Sequence, residues 1–418
     1  MRKPHGAKLE LTSPERIVQE CGKTMKKSTT VKRLADATLA IHAGQEKFRV
    51  SAPVGTSIAR TATFTFASTE EMKLWAEGKS SAYIYSRYGN PTLAIAEKKL
   101  AALERAEAAV VTASGSAAIS SALLAFLEAG DEVIATRQLY GGSYRLLRDI
   151  FPRYGIVVRH VESDLVGIER LVCARTKALY IETPTNPTLR IVDLAKAAAF
   201  ARERGLVSLI DNTFATPVLQ KPIEMGFDLV LHSATKYLAG HSDLIAGAAI
   251  GSTALIKKVR ENIICLGGSA DPEAAYLLIR GLKTLGVRVE RQSKTAGAVA
   301  NYLARHPRVA RVHYPGLTSH PDHRLAKRQM RAFGGMLAFD MKGGLPAARR
   351  FCDRVRVFLL AASLGGVESL VILPIYTSHY NLSPQELRGA GIEPGTVRVS
   401  IGLEDPNDLI EDLHQALG

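Results

Sequence analysis

The chain has 418 residues, 46% of them hydrophobic and 22% charged, with 34 Gly in no collagen-like period, so it is neither a disordered nor a fibrous chain. It is long enough to bury a full core and to divide into more than one lobe. The formal net charge of +14 is local: Met1–Arg33 contributes +6 and Arg288–Arg331 contributes +8, leaving the remainder near neutral. Basic stretches can contact nucleic acid. There is no zinc-finger spacing, aromatic-interleaved run or recognition-helix signature here, and the favoured reading of both stretches is solvated surface.

The basic N-terminus is followed by no apolar stretch of the kind a secretory signal carries. Ala108–Leu127, uncharged but dotted with Ser and Thr, is too polar for a membrane span. Cys21, Cys173, Cys265 and Cys352 lie far apart without a C-x-x-C pair, which predicts free thiols and no metal site. A soluble cytoplasmic protein is expected.

Residues 1–45 read as a polar, basic arm with some helix, and 46–92, rich in Pro and Gly, as an extended segment that packs on something else. Apolar residues at Leu93, Ile95, Ala96, Leu100 and Leu103 then predict an amphipathic helix ending near Glu107. An alternation follows. Strands are expected at Ala109–Ala113, Glu132–Thr136, Ile156–Val161, Ala178–Glu182, Val207–Asp211 and Leu229–Ser233, with helices at Ala117–Leu127, Tyr144–Arg153 and Leu194–Arg204 between them. Strands that read as continuous apolar runs are buried on both faces, so the fold class is α/β with a mostly parallel central sheet. From Arg288 the pattern changes to a long helix over Gly286–Arg305, strands at Val309–His313, Met336–Met341 and Val397–Ile401, and a last helix over Pro406–Leu417. This predicts a smaller α+β C-terminal domain, with divisions at 1–88, 89–287 and 288–418.

In an open parallel sheet the ligand lies beyond the carboxyl ends of the strands, so the residues just after each run are informative. Ser114-Gly115-Ser116 opens a helix and reads either as a plain cap or as an anion cradle. Asp211 ends an apolar strand, which calls for a facing cation. Lys236 sits at the mouth of the sheet, where desolvation would lower its pKa and make it a nucleophile. Anion cradle, acid and lysine on one sheet edge are the three groups that pyridoxal phosphate requires.

Ser233-Ala234-Thr235-Lys236-Tyr237, Asp211-Asn212-Thr213, Tyr85-Ser86-Arg87-Tyr88-Gly89-Asn90-Pro91-Thr92 and Glu182-Thr183-Pro184-Thr185-Asn186-Pro187 together resemble the Cys/Met-metabolism (transsulfuration) family of PLP enzymes over about residues 38–418. The resemblance implies the PLP-transferase fold of the aspartate-aminotransferase type. It implies Lys236 as the Schiff-base lysine and proton carrier, Asp211 on the pyridine nitrogen, and Tyr140 stacked on the ring. Gly115, Ser116, Ser233 and Thr235 would hold the phosphate, with Asn186 and Thr213 among the cofactor contacts. Tyr85 and Arg87 would reach the phosphate of a neighbouring subunit, in a homotetramer built of dimers with shared sites. Arg398, Ser363 and Asn186 would hold the substrate carboxylate.

For the substrate, methionine γ-lyases usually carry Cys where this chain has Gly142. The Tyr140-Gly141-Gly142-Ser143-Tyr144-Arg145 run is similar to the cystathionine branch, in which Arg145 and Glu368 would form a buried pair for the far end of L-cystathionine, beside Tyr85. The expectation is γ-elimination or γ-replacement of the cystathionine γ-lyase or γ-synthase type. Methionine γ-lyase or O-acetylhomoserine sulfhydrylase is the alternative, and a non-catalytic nucleic-acid-binding protein a distant one. Two features depart from the family: Ile84 before the Tyr-Ser-Arg motif, and Tyr376 and Tyr380 in Leu373–Tyr380, which add aromatic bulk.

Overall fold

A computed structural model describes residues 34–45 and 53–418. The chain divides into two compact units, 1–35 and 36–418, and the second carries everything below. Cys21 and the basic arm lie outside the described residues.

Seven strands form the first sheet: β1 (Ala108–Thr112), β2 (Glu132–Thr136), β3 (Val157–Val161), β4 (Thr176–Glu182), β5 (Val207–Asp211), β6 (Leu229–His232) and β7 (Gly247–Gly251), in the order β1-β7-β6-β5-β4-β2-β3. The block from β6 to β3 is parallel, while β7 runs antiparallel to both β1 and β6. The mostly parallel sheet is as expected, and the six apolar runs are its first six strands. β7 is invisible to strand propensity because it reads Gly-Ala-Ala-Ile-Gly. Packing explains this composition: a Cβ at Gly247 would strike the Ser114 carbonyl, and one at Gly251 the Asp228 carbonyl.

Helices cover both faces, and their starts are written locally. Asn90 caps Pro91–Glu104, Ser114 caps Gly115–Leu124 and Asp193 caps Leu194–Glu203, each through a side-chain oxygen that accepts a backbone N–H of the first turn. Such caps are worth about 1 kcal/mol each. The single helix expected at Tyr144–Arg153 is instead a short α-helix, Gly141–Arg145, a π turn to Ile150 and a 3₁₀ turn, Phe151–Tyr154. Pro152 withholds a donor from the ladder and Gly155, at φ 71°, ends the turn.

A second sheet gathers β8 (Val309–His313), β9 (Met336–Met341), β10 (Leu359–Leu360), β11 (Leu370–Ile372) and β12 (Thr396–Ser400), in the order β10-β11-β12-β9-β8, backed by Leu285–Arg305 and Pro406–Leu417. Two apolar clusters sandwich the first sheet and a third, around Phe339, Phe351 and Leu413, fills the second. One member of the basic stretch is not surface. Arg288 is 3% exposed and donates to the carbonyls of Tyr237, at 2.8 Å, and Gly281, at 2.8 Å. It thereby pins the turn that follows Lys236.

Candidate active site

The parallel strands end on a cavity of about 660 Å³. It is lined by Gly115 and Ser116 from one helix start, Asp211 and Thr213 after β5, and Ser233, Thr235 and Lys236 after β6. Tyr140 and Asn186 come from neighbouring loops, and Ser363 and Arg398 from the second sheet. Eleven residues picked from sequence thus share one cavity: nine because strand ends of a parallel sheet open on a single edge, and Ser363 and Arg398 because the C-terminal sheet region borders that edge.

The cradle at Gly115 is tight. A Cβ there would lie 2.8 Å from Ser233 Cβ, so only glycine lets the helix start approach the loop after β6. Ser114 spends its side chain on Ala117 N, at 3.1 Å. The amides of Gly115 and Ser116 have no acceptor among the described residues and remain free for an anion.

Lys236 is half-buried, and burial, with Arg398 nearby, lowers its pKa to about 8. Its Nζ donates to Ser363 Oγ at 2.9 Å. Arg398 is 5% exposed; its Nη2 donates to the Ser363 carbonyl at 2.9 Å and its Nη1 to Asn186 Oδ1 at 3.2 Å. Burial lowers its pKa to about 10, so it stays cationic at neutral pH.

Asp211 accepts from Thr213 N at 3.0 Å. Burial raises its pKa, while Thr213 and the charge of His232 work the other way. One strand over, in register with Asp211, stands Glu182. It is buried too, accepts from Tyr140 N at 2.7 Å, and its pKa is raised further, by burial and by Asp211. Two carboxylates this close cannot both ionise without a cation. Arg398 opposes the shift at Glu182 without cancelling it, and Asp211, the less raised of the two, is the one offered to a pyridinium. The rule that singled out Asp211, an acid ending an apolar strand, applies equally to Glu182 and should have found it.

Other site residues stand elsewhere. Tyr85 and Arg87 line no part of this cavity. Arg87 donates to the Ile264 carbonyl at 2.7 Å and lies 5.1 Å from the Tyr88 ring centroid. The Arg145–Glu368 pair is a correction: it does not form. The Arg145 side chain is 63% exposed, lies 3.9 Å from Asp149 and lines an adjoining cavity that shares Ser116 and Ile119 with this one. Glu368 accepts from the Ser242 hydroxyl. Arg145 is the last residue of the Gly141–Arg145 helix and turns to Asp149, and Glu368 lies in the loop before β11. Apolar lining that sequence did not single out includes Ile119, Phe214, Ile245 and Ile372.

The residues fit pyridoxal phosphate: free amides for its phosphate, a carboxylate for its ring nitrogen, and an amine whose pKa lies low enough to be nucleophilic. No group of three metal-ligating side chains occurs among the described residues, and no helix there is long and apolar enough to cross a membrane.

Comparison with known proteins agrees. Residues 37–418 match the family described as Cys/Met metabolism PLP-dependent enzyme. An L-methionine gamma-lyase from Pseudomonas putida is 42% identical over 384 residues, 91% of this chain and 96% of that protein. Cystathionine gamma-synthase 1 of Arabidopsis thaliana, a chloroplastic protein, is 41% identical over 92% of this chain and 69% of its own length. Among solved structures, a cystathionine gamma-lyase from Lactobacillus plantarum complexed with L-serine superposes with a TM-score of 0.86 at 37% identity, covering 92% of this chain and 98% of that one. The chain is a PLP-dependent carbon–sulfur lyase or transsulfuration enzyme, and it belongs to the Cys/Met-metabolism family of PLP-dependent enzymes.

Proposed function

We propose that the enzyme acts on α-amino acids that carry sulfur or a leaving group on Cγ, removing or exchanging that substituent. The observation that carries this reading is the bracket around Ser363: Lys236 Nζ meets its hydroxyl and Arg398 its carbonyl, both at 2.9 Å. A carboxylate taken by the guanidinium fork would hold Cα within reach of the amine.

Bound PLP supplies the electron sink for negative charge developing at Cα and Cβ. Arg398 and Asn186 orient the carboxylate. Lys236 Nζ, neutral for a large share of the time near its pKa of about 8, removes the Cα proton and then serves Cβ–H and the departing group. Asp211 would hold the positive charge of the ring nitrogen, with Glu182 in register beside it. The Tyr140 hydroxyl, in the cavity lining, would hand a proton to the leaving sulfur. With water as the final acceptor, R–S–CH2CH2CH(NH3+)COO− and H2O yield RSH, 2-oxobutyrate and ammonium; with a thiol acceptor the products are a new thioether amino acid and RSH.

Tyr85 and Arg87, outside their own cavity, are read as groups lent to a second copy. The free amides at Gly115 and Ser116 beside the open cavity lined by Gly142 and Arg145 support that reading. The test is production of 2-oxobutyrate from L-cystathionine, L-methionine and O-acetyl-L-homoserine by the wild type and by Lys236→Ala. Turnover of at least one, abolished in the variant, supports the assignment; a yellow enzyme that releases no 2-oxo acid and exchanges no thiol with any of them refutes it.

A further inference from the structure

Within one chain the cavity offers a substrate one anion receptor, not two, and the Arg87 lent by a second copy is read as a phosphate ligand. The only basic side chains among its lining residues are Lys236 and Arg398, and the reading above commits one to the cofactor and the other to the α-carboxylate. Arg145 and Glu368, the two groups that could have met a second amino-acid head, do not line the cavity and take other partners, Asp149 and Ser242. The acids present, Asp211 and Glu182, are buried and already accept from Thr213 N and Tyr140 N, and the reading above commits Asp211 to the cofactor.

Large apolar side chains occupy the rim instead. Tyr376, Tyr380 and Ile245 all line the cavity yet remain 54%, 63% and 68% exposed. Side chains that line a cavity and still meet solvent stand at its mouth, where they wait for something to cover them. Their backbone is anchored. Pro374–Tyr376 forms a 3₁₀ turn, Thr377 Oγ1 donates to the Leu373 carbonyl at 3.0 Å, and His379, 4% exposed, holds Ser378 Oγ at 2.8 Å. The Ser378 carbonyl rests so closely on Gly141 that a Cβ there would collide with it. The two tyrosines thus flank a fixed point rather than a loose loop, and neither hydroxyl has a protein partner among the described residues.

We propose that Tyr376 and Tyr380, with Ile245, form the subsite for the γ-substituent and select an apolar thioether, S-alkyl or S-aralkyl, over one that ends in a second charged head group. The proposal rests on the γ-chemistry above. Covering aromatic surface with methylenes and a thioether sulfur is favourable, whereas placing a carboxylate or ammonium against it without a countercharge strips hydration for no return. Tyrosine serves this place because its ring offers the apolar face while its hydroxyl stays wet.

The test uses the holoenzyme and two ligands with no leaving group, L-norleucine and L-2-aminoadipate, titrated through the visible absorption of the bound cofactor. The expected result is norleucine binding about tenfold or more tighter, within the range one apolar pocket can discriminate. In Tyr376→Ala and Tyr380→Ala the preference shrinks because norleucine weakens, while aminoadipate and cofactor colour stay as they were; Tyr376→Phe and Tyr380→Phe keep it. Equal binding of the two ligands by the wild type, or a ratio unmoved by both alanine variants, overturns the proposal. Failure of the γ-chemistry looks different: the norleucine preference stands while no sulfur amino acid yields 2-oxobutyrate.

Discussion

The ring of Tyr140 lies over Gly142, so closely that a Cβ at Gly142 would collide with Cε1 and come within 3.1 Å of Cζ. The missing side chain two residues after the tyrosine is what permits this ring position. Gly142→Ala, or the Gly142→Cys that would restore the residue usual in methionine γ-lyases, is expected to push the ring aside. Turnover should fall by about one to two orders of magnitude, the effect of displacing a catalytic group by an ångström or so. Cofactor content, read from absorbance, should hold, and unchanged kcat would show that the ring has another productive position.

Lys236 gives a pH signature. Burial lowers its pKa to about 8, below that of a solvated lysine, and only the neutral amine attacks the cofactor's carbonyl. Below the pKa each pH unit costs tenfold in free amine, so the rate of PLP capture by cofactor-stripped enzyme should rise about a hundredfold from pH ~6 to pH ~9 and level off there. A rate still climbing tenfold per unit above pH ~9 would mean an amine with an ordinary pKa.

The proposed lending of Tyr85 and Arg87 to a second copy predicts complementation. Lys236→Ala and Arg87→Ala proteins should each lose most activity, the second through weak cofactor retention. Unfolded and refolded together, they should regain part of it, since a mixed pair contains one site with both groups intact. Additive residual activities in the mixture would place Arg87 in its own subunit's chemistry.

At the start of β2, one strand in from the sheet edge, buried Glu132 accepts from Arg159 Nε at 3.0 Å and Arg175 Nη2 at 2.6 Å, and these partners hold its carboxyl down at about 2. A depressed carboxylate stabilises the fold above its ordinary pKa and loses that contribution as pH falls toward the folded value. Glu132→Gln should therefore lower Tm near neutral pH, by the equivalent of about 1.5–3 kcal/mol for charged hydrogen bonds lost. The gap to wild type should close between pH 4.5 and about 2, the ordinary and folded values. A gap that persists into acid would indicate a packing defect instead.

The central sheet was legible because its first six strands are short β-branched runs at regular spacing, and the cofactor set because strand ends put Lys236, Asp211 and Gly115 on one edge. β7 was not legible, since close approach of Ser114 and Asp228 demands the glycines that erase its strand signal. Arg288 misled for a related reason. A cation in a basic stretch reads as solvated, and only the fold brings the Tyr237 and Gly281 carbonyls round it. The failure at Arg145 and Glu368 was one of direction. Each stands near cavity residues in the chain, but where a side chain points depends on how its helix leaves the loop, which spacing alone does not encode.

Ser363 touches groups from both sheets, Lys236 with its hydroxyl and Arg398 with its carbonyl. One residue therefore ties the loop after β6 to strand β12: the setting of the amine and the setting of the guanidinium cannot drift independently, and any change at Ser363 is felt by both at once.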